Sequence, residues 1–189
     1  FRQPKLYITL PSNGKFYPAG AYENSESGEL PVFSMTARDE LTFKTPDALL
    51  NGQATVDVIQ SCIPNIKNAW LMPSIDLDAC LIAIRMATYG ETMGITIKQP
   101  VKGEDLEMYV DLRGIMDSFA QAQYQDTVQV GEMTVTLRPL TYKEFTKNAL
   151  KTFEEQRIFN VVNDDSIEDE AKLQAFTNSF AKLTELTVD

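Results

Sequence analysis

The sequence predicts an α+β fold in which small antiparallel sheet elements surround a buried central helix and a helical hairpin ends the chain. Residues 77–89 are apolar nearly all round and stop at Gly90, as expected of a buried helix. Residues 127–137 alternate apolar and polar side chains across a two-residue turn that contains glycine, which is typical of a β-hairpin. We therefore expect an α+β core over residues 1–140 and a helical appendage over residues 141–189.

Composition and charge indicate a folded chain with protein partners. The chain has 189 residues, of which 43% are hydrophobic and 23% charged, so it can bury a core. Its net charge of −10 leaves no basic surface for phosphates, which argues against nucleic acid and anionic membranes as partners. No apolar run approaches the ~20 residues of a membrane span, and residues 1–5 lack the apolar stretch of a signal peptide. We therefore expect the chain to be made and kept in the cytoplasm.

Two short paired strands are predicted near the N-terminus. Residues 5–10 are rich in β-branched and aromatic side chains and run into a turn at residues 11–14, which indicates a strand. Residues 30–35 form a second extended run. Pro31 places this run at a sheet edge, because proline cannot donate a backbone hydrogen bond. We expect the two runs to pair.

Three short helices are predicted after these strands. Thr36, with Asp39 three residues later, resembles a capping box and marks the start of the first helix. Pro46 ends that helix and suits the first turn of a second helix over residues 47–51. A third helix is predicted over residues 54–62.

The buried helix over residues 77–89 should be capped by Ser74 or Asp76, because such side chains accept hydrogen bonds from free amides of the first turn. Two strands and another helix are predicted after it, at residues 94–98, 107–111 and 112–123.

Two amphipathic helices are predicted at the C-terminus. Their apolar positions recur at helical spacing, at Tyr142, Phe145, Ala149, Leu150, Phe153 and Ile158 in the first and at Leu173, Phe176, Phe180 and Leu183 in the second. The acidic run 164–170 fits the start of the second helix, with Ser166 and Asp169 as a capping pair. It lacks the glycine and the terminal glutamate of a calcium loop. We expect Phe153, Phe176 and Phe180 to contact a partner.

The residue types argue against catalysis. The chain has no histidine, the commonest general base and metal ligand. Asp76 and Asp78 form the obvious carboxylate pair for an alternative function, a cell-wall hydrolase, but residues two apart on a helix point away from each other. The sequence therefore predicts no enzyme activity, no cofactor and no metal site.

Trp70, Leu71 and Met72 form an apolar stretch within a loop. A role in filling the core is favoured for Trp70, and the sharper alternative is that this stretch anchors a partner. Arg85 is the only charge in the middle of the buried helix, so we expect a structural ion pair, with a partner contact as the alternative.

Cys62 and Cys80 lie in apolar surroundings, where cysteine commonly behaves as a small hydrophobic residue. Buried free thiols are the favoured interpretation, and a disulfide between these residues is the alternative left open.

Several ordered segments resemble one known family. They are residues 10–17 (LPSNGKFY), 35–40 (MTARDE), 44–52 (KTPDALLNG), 61–64 (SCIP) and 78–90 (DACLIAIRMATYG). Together they are similar to the T4-type phage baseplate hub family, whose small subunits help build the central hub of the contractile tail. The resemblance covers roughly the first half of the chain.

One departure from the family concerns metal binding. Many members look as if they carry a Cys-Pro-x-Cys-Gly knuckle after the central helix, whereas this chain has Gln99, Pro100, Val101, Lys102 and Gly103. Both cysteines of the knuckle are absent. The resemblance therefore implies no zinc site here, because structural zinc needs about four Cys or His ligands.

The resemblance implies a non-catalytic structural or assembly component of the baseplate hub. Its implied neighbours are the hub ring, the central spike and the tape-measure protein, with self-association as a further option. It would act in the host cytoplasm during assembly and in the tail baseplate of the virion. A transient chaperone that leaves before the tail is complete is the alternative.

Overall fold

A computed structural model describes residues 2–45, 52–98, 105–122, 124–164 and 166–187. Within these ranges the chain contains six α-helices and three separate two-stranded antiparallel sheets, which confirms the predicted α+β class. The chain divides into two compact units, Phe1–Tyr142 (unit 1) and Lys143–Asp189 (unit 2). The helix predicted over residues 47–51 and the segment 99–103 lie outside the described residues.

The secondary structure follows the predicted order. The strands are β1 (Leu6–Ile8), β2 (Leu30–Val32), β3 (Thr92–Lys98), β4 (Asp105–Asp111), β5 (Thr127–Val130) and β6 (Met133–Thr136). The helices are α1 (Ala37–Phe43), α2 (Gln53–Cys62), α3 (Leu77–Tyr89), α4 (Leu112–Gln121), α5 (Tyr142–Val162) and α6 (Asp169–Thr187). Two short 3₁₀ turns, Ala69–Leu71 and Ser74–Asp76, precede α3.

Strand β1 pairs with β2 as predicted. The strands are antiparallel, and Tyr7 lies opposite Pro31. Ile8, Leu30 and Val32 are buried, because one face of this small sheet covers the core. The sheet therefore brings the N-terminus of the chain onto the central helix.

Helix α1 starts with the predicted capping box. The Thr36 hydroxyl accepts a hydrogen bond from the Asp39 amide at 3.3 Å, and the Asp39 carboxylate accepts one from the Thr36 amide at 2.7 Å. Asp39 also accepts a bond from the Ser61 hydroxyl at 3.1 Å. This carboxylate therefore joins the start of α1 to the end of α2.

Helix α3 is the buried central helix, as predicted. Ala79, Ala83 and Ala87 recur every four residues along it, and all three are buried. Small side chains on one face let neighbouring elements approach closely. The helix ends at Gly90, whose positive φ of 93° is readily adopted by glycine. Cys62 and Cys80 are buried free thiols, which confirms the favoured interpretation.

Two of the predicted caps are wrong. Asp76 occupies the N-cap position of α3, but its carboxylate makes no capping bond, because it binds partners far away in the sequence. Ser74 belongs to the 3₁₀ turn instead. Ser166 does not cap α6 either, since its amide and hydroxyl both donate to Asp164 and the helix begins at Asp169. Competing donors, Ser12 and Tyr17, decide the first case, and a competing acceptor, Asp164, decides the second.

The predicted β5–β6 hairpin forms, and the two strands predicted at residues 94–98 and 107–111 pair as a second hairpin of unit 1. Strands β3 and β4 pair over their whole length, and β5 pairs with β6 across a turn in which Gly131 has a φ of 63°. Each hairpin is a sheet of two strands only.

Unit 2 consists of α5 from Lys143 onward together with α6. The two helices pack on each other, and Lys182 of α6 donates to the Glu154 carboxylate of α5 at 3.3 Å. This is the predicted C-terminal helical hairpin. Its assignment as an appendage over residues 141–189, beside a core over residues 1–140, remains a prediction.

Candidate protein-interaction surfaces

Asp76 lies in a closed hydrogen-bond network rather than in a cleft. Its carboxylate is fully buried and accepts bonds from the Ser12 amide at 2.8 Å, the Ser12 hydroxyl at 2.6 Å and the Tyr17 hydroxyl at 2.9 Å. Burial raises the pKa of Asp76, although these hydrogen bonds oppose the shift. Asp78, in contrast, is exposed. A substrate therefore cannot reach both carboxylates, and the hydrolase alternative loses its acid pair.

The network has a structural consequence. It fastens the turn after β1 to the start of α3, and burial together with the neighbouring Asp76 raises the pKa of Tyr17, which keeps its hydroxyl protonated as a donor. The Tyr17 ring stacks on Tyr22 with centroids 4.7 Å apart. Residues 10–17, among the segments that carry the family resemblance, thus serve to hold unit 1 together.

The stretch around Trp70 belongs largely to the core. The Trp70 ring is partly buried and stacks on Tyr142, with centroids 5.6 Å apart and an angle of 21° between the planes. Met72 is fully buried and accepts a backbone hydrogen bond from Tyr142 at 2.7 Å. Leu71 is partly exposed. Trp70 therefore has the core role that the sequence favoured, and Met72 is no part of an exposed surface.

Arg85 makes a cation–π contact instead of the expected ion pair. Its guanidinium lies 4.6 Å from the centroid of the Tyr89 ring, one helical turn away. Among the described residues, no carboxylate oxygen lies within 4.0 Å of Arg85. Its Nη1 atom is buried without a hydrogen-bond partner. Tyr89 is half exposed, so this pair reaches the surface and a partner contact through Arg85 stays a prediction.

Unit 2 exposes the aromatic residues that the sequence predicts to bind a partner. Phe153, Phe176 and Phe180 are 55%, 43% and 58% exposed. The rings of Phe176 and Phe180 stack with centroids 6.0 Å apart on one side of α6. Glu154 and Ser179, in contrast, are buried. Unit 2 therefore buries two polar residues and leaves these three large aromatic side chains exposed.

A further apolar surface lies on the β3–β4 hairpin and was not singled out from the sequence. Three cross-strand pairs share one face, and we call this set the hairpin apolar face: Met93 with Val110, Ile95 with Met108, and Ile97 with Leu106. Ile97, Leu106 and Met108 are each nearly half exposed. The alternation of apolar residues at 93–97 and 106–110 was the signal available in the sequence.

Other kinds of site are not supported by the part of the chain that the structure describes. In these ranges, no group of three or more Cys, Asp or Glu side chains is placed to hold a metal ion. Likewise, none of the described helices has the length and apolar character needed to cross a membrane.

The sequence as a whole identifies the family. The family described as T4 bacteriophage base plate protein matches residues 4–185, which is nearly the whole chain. Searches of curated proteins and of solved structures found no match. The chain therefore belongs to the T4 bacteriophage base plate protein family, and it is a component of a phage baseplate among other tail proteins.

Proposed function

We propose that this chain is a non-catalytic structural or assembly component of the baseplate hub of a contractile tail. It folds in the host cytoplasm and joins the baseplate through contacts with the hub ring, the central spike or the tape-measure protein. The observation that carries this proposal is the outward-facing aromatic surface of unit 2.

That surface is costly to leave in water. Leu173, Phe176 and Phe180 follow the i, i+3, i+7 spacing of one helix face, and all three are exposed. Burying a large apolar side chain contributes about 2 kcal/mol. This free energy is not gained within unit 2, because these three side chains remain exposed to water. The buried residues of the unit include Glu154 instead. A partner with an apolar groove or helix face would recover it.

The non-catalytic part of the proposal is supported by the chemistry of the chain. It contains no histidine, and its most strongly buried carboxylate, Asp76, is occupied by Ser12 and Tyr17. That carboxylate stabilises the fold instead of facing a substrate.

The decisive experiment is complementation of a phage that lacks this gene. A double variant, Phe176→Ser with Phe180→Ser, should weaken co-purification with hub proteins at least about 100-fold, since two aromatic anchors are lost. It should also yield particles without baseplates. The matched control is Gln174→Ser with Asn178→Ser, which places two serines at exposed positions of the same helix. This control should support normal tails.

Three outcomes separate the alternatives. Normal, infectious tails from the phage without the gene would contradict the proposal. Quantitative mass spectrometry of finished tails should detect the chain at a fixed copy number, whereas its absence would identify a departing chaperone. Clearing of a peptidoglycan suspension by the purified chain would establish the hydrolase instead.

A further inference from the structure

We infer that the β3–β4 hairpin adds its β3 edge to the edge strand of a sheet in a different baseplate protein. This inference rests on the proposed function and names the chemistry of one partner. That partner offers a strand with alternating apolar side chains, an apolar layer that covers the hairpin apolar face, and basic residues on the opposite face.

The two faces of the β3–β4 hairpin differ in chemical character. Side chains alternate between the faces of a strand, so the in-register pairing places six apolar residues on one face. The other face carries Thr92 opposite Asp111, Thr96 opposite Glu107, and Lys98 opposite Asp105. An isolated two-stranded hairpin is marginally stable in water, and an uncovered apolar face is the usual mark of an absent layer.

The outer edges of β3 and β4 differ in charge. Strand β4 carries Asp105, Glu107 and Asp111, and charged side chains on an edge discourage pairing with other strands. Strand β3 carries no charge before Lys98 at its end and contains no proline. Of the two edges, the β3 edge therefore lacks the charged side chains that usually prevent pairing with another strand.

The base of the hairpin is held in place by hydrogen bonds and an ion pair. The Leu112 amide donates to the Glu91 carbonyl at 2.9 Å, and Glu91 forms an ion pair with Arg113. A methyl group added to Gly94 would lie 3.6 Å from the Tyr109 ring, so this ring covers the glycine on the polar face. The strands are thus preorganised before a partner binds, which reduces the entropy cost of association.

A second copy of the chain fits this surface less well than a different protein. Two copies would each bring a net charge of −10. The hairpin apolar face also measures only roughly 24 Å by 10 Å, or about 240 Å², from ordinary strand spacings. A stable interface needs about 800 Å² from each partner. The remaining area must come from contacts outside the hairpin, and lysine or arginine on a different protein would complement Asp105, Glu107 and Asp111.

The test uses the full chain and the hub ring, central spike and tape-measure proteins of the same phage, each produced separately. Ile97→Gln removes an exposed side chain from the hairpin apolar face, and Thr96→Gln makes the same change on the polar face. We expect Ile97→Gln to weaken binding to one of these proteins at least about 10-fold, and Thr96→Gln less than about threefold. Hydrogen exchange in the complex should slow for outward amides of β3 and not of β4.

The possible outcomes are distinguishable. If none of the three proteins binds the unaltered chain, the proposed function fails, and this inference fails with it. If one binds but Ile97→Gln binds equally well, or β4 is the protected strand, the inference alone is wrong. A dimer of the free chain that Ile97→Gln dissociates would also overturn it, because the occupant would then be a second copy.

Discussion

The carboxylate of Asp76 accepts hydrogen bonds from both the amide and the hydroxyl of Ser12, which lies 64 residues earlier in the chain. The distances are 2.8 and 2.6 Å, and both groups are buried. A bond over this sequence distance closes the N-terminal turn onto the central helix. The free energy of unfolding of unit 1 should therefore depend strongly on the Asp76 carboxylate.

Replacing Asp76 with alanine should lower the free energy of unfolding by about 3 kcal/mol, because the buried Ser12 and Tyr17 donors lose their acceptor. Urea unfolding followed by the fluorescence of Trp70, the only tryptophan, reports on unit 1 directly. Asp78→Ala changes an exposed residue of the same helix and should cost less than about 1 kcal/mol. Equal losses for the two variants would show that the network contributes little.

The stability contributed at Asp76 should fall as pH rises. Burial raises its pKa above the usual value of 3.8 in the folded chain. Between the two values the folded chain binds more protons than the unfolded chain, so ionisation costs stability as pH increases. Asp76→Asn removes this titration. The free energy of unfolding of the unaltered chain should therefore decline relative to that of the variant as pH rises from about 4 through the raised pKa of Asp76.

The stability contributed by Asp39 should depend on pH in the opposite direction from that of Asp76, so Asp39 serves as the control. Burial acts to raise its pKa, but hydrogen bonds from Thr36 and Ser61 and the charge of Arg2 lower it overall below 3.8. Its stabilisation is present above that pH and is lost as pH falls. Stability differences for Asp39→Asn and Asp76→Asn that change in the same direction with pH would contradict one of the two assignments, and the sign of the slope would show which one.

Gly14→Ala should destabilise unit 1 by about 2 kcal/mol or more. Gly14 has a φ of 74°, and an added Cβ would lie 2.7 Å from the Tyr22 ring. Gly20 has a similar φ of 81° but open space around it, so Gly20→Ala should cost only about 1 kcal/mol. The difference between the two urea midpoints isolates the contact with Tyr22. Identical midpoints would mean that the ring moves aside freely.

Lys182→Met should lower the melting temperature of unit 2. Glu154 is 9% exposed, with Lys182 at 3.3 Å and Arg157 at 3.7 Å, so losing the lysine leaves a buried carboxylate poorly paired. A cost of about 1 to 2 kcal/mol is expected, and Glu154→Leu added to Lys182→Met should restore it. Far-ultraviolet circular dichroism of the full chain measures both. A double variant no more stable than Lys182→Met would show that the unpaired carboxylate is not the source of the loss.

The local pattern of the chain was sufficient wherever neighbouring residues decide the structure. The capping box of Thr36 and Asp39, the stop at Gly90, and the turn at Gly131 all depend on residues close in sequence. The strands were predictable from the alternation of apolar and polar residues, and the helices from apolar residues at helical spacing, because both patterns also depend on residues close in sequence. The family resemblance in residues 10–17 and 78–90 pointed to the baseplate family that the match over residues 4–185 shows.

The interaction surfaces were only partly predictable. Phe153, Phe176 and Phe180 stood out because helical spacing places large side chains on a face, and all three are exposed. The hairpin apolar face was missed, because two strands with alternating residues reveal a shared face only once their register is known. Met72 was included among the partner-binding residues but is fully buried. The sequence of an apolar loop does not show which of its residues are buried.

By itself, the sequence determined the fold class, the order of the elements, the buried central helix and the family, since each depends on local periodicity or on ordered motifs. Only the tertiary structure decided what Asp76 and Arg85 contact, because the partners of a buried polar group are chosen by packing between distant segments. Asp76 accepts hydrogen bonds from Ser12 and Tyr17 instead of capping the helix, and the Arg85 guanidinium contacts the ring of Tyr89. The contacts of Asp76 follow from the cost of burying a polar group without a partner, whereas Arg85 gains the Tyr89 ring and still leaves its Nη1 atom buried without a hydrogen bond.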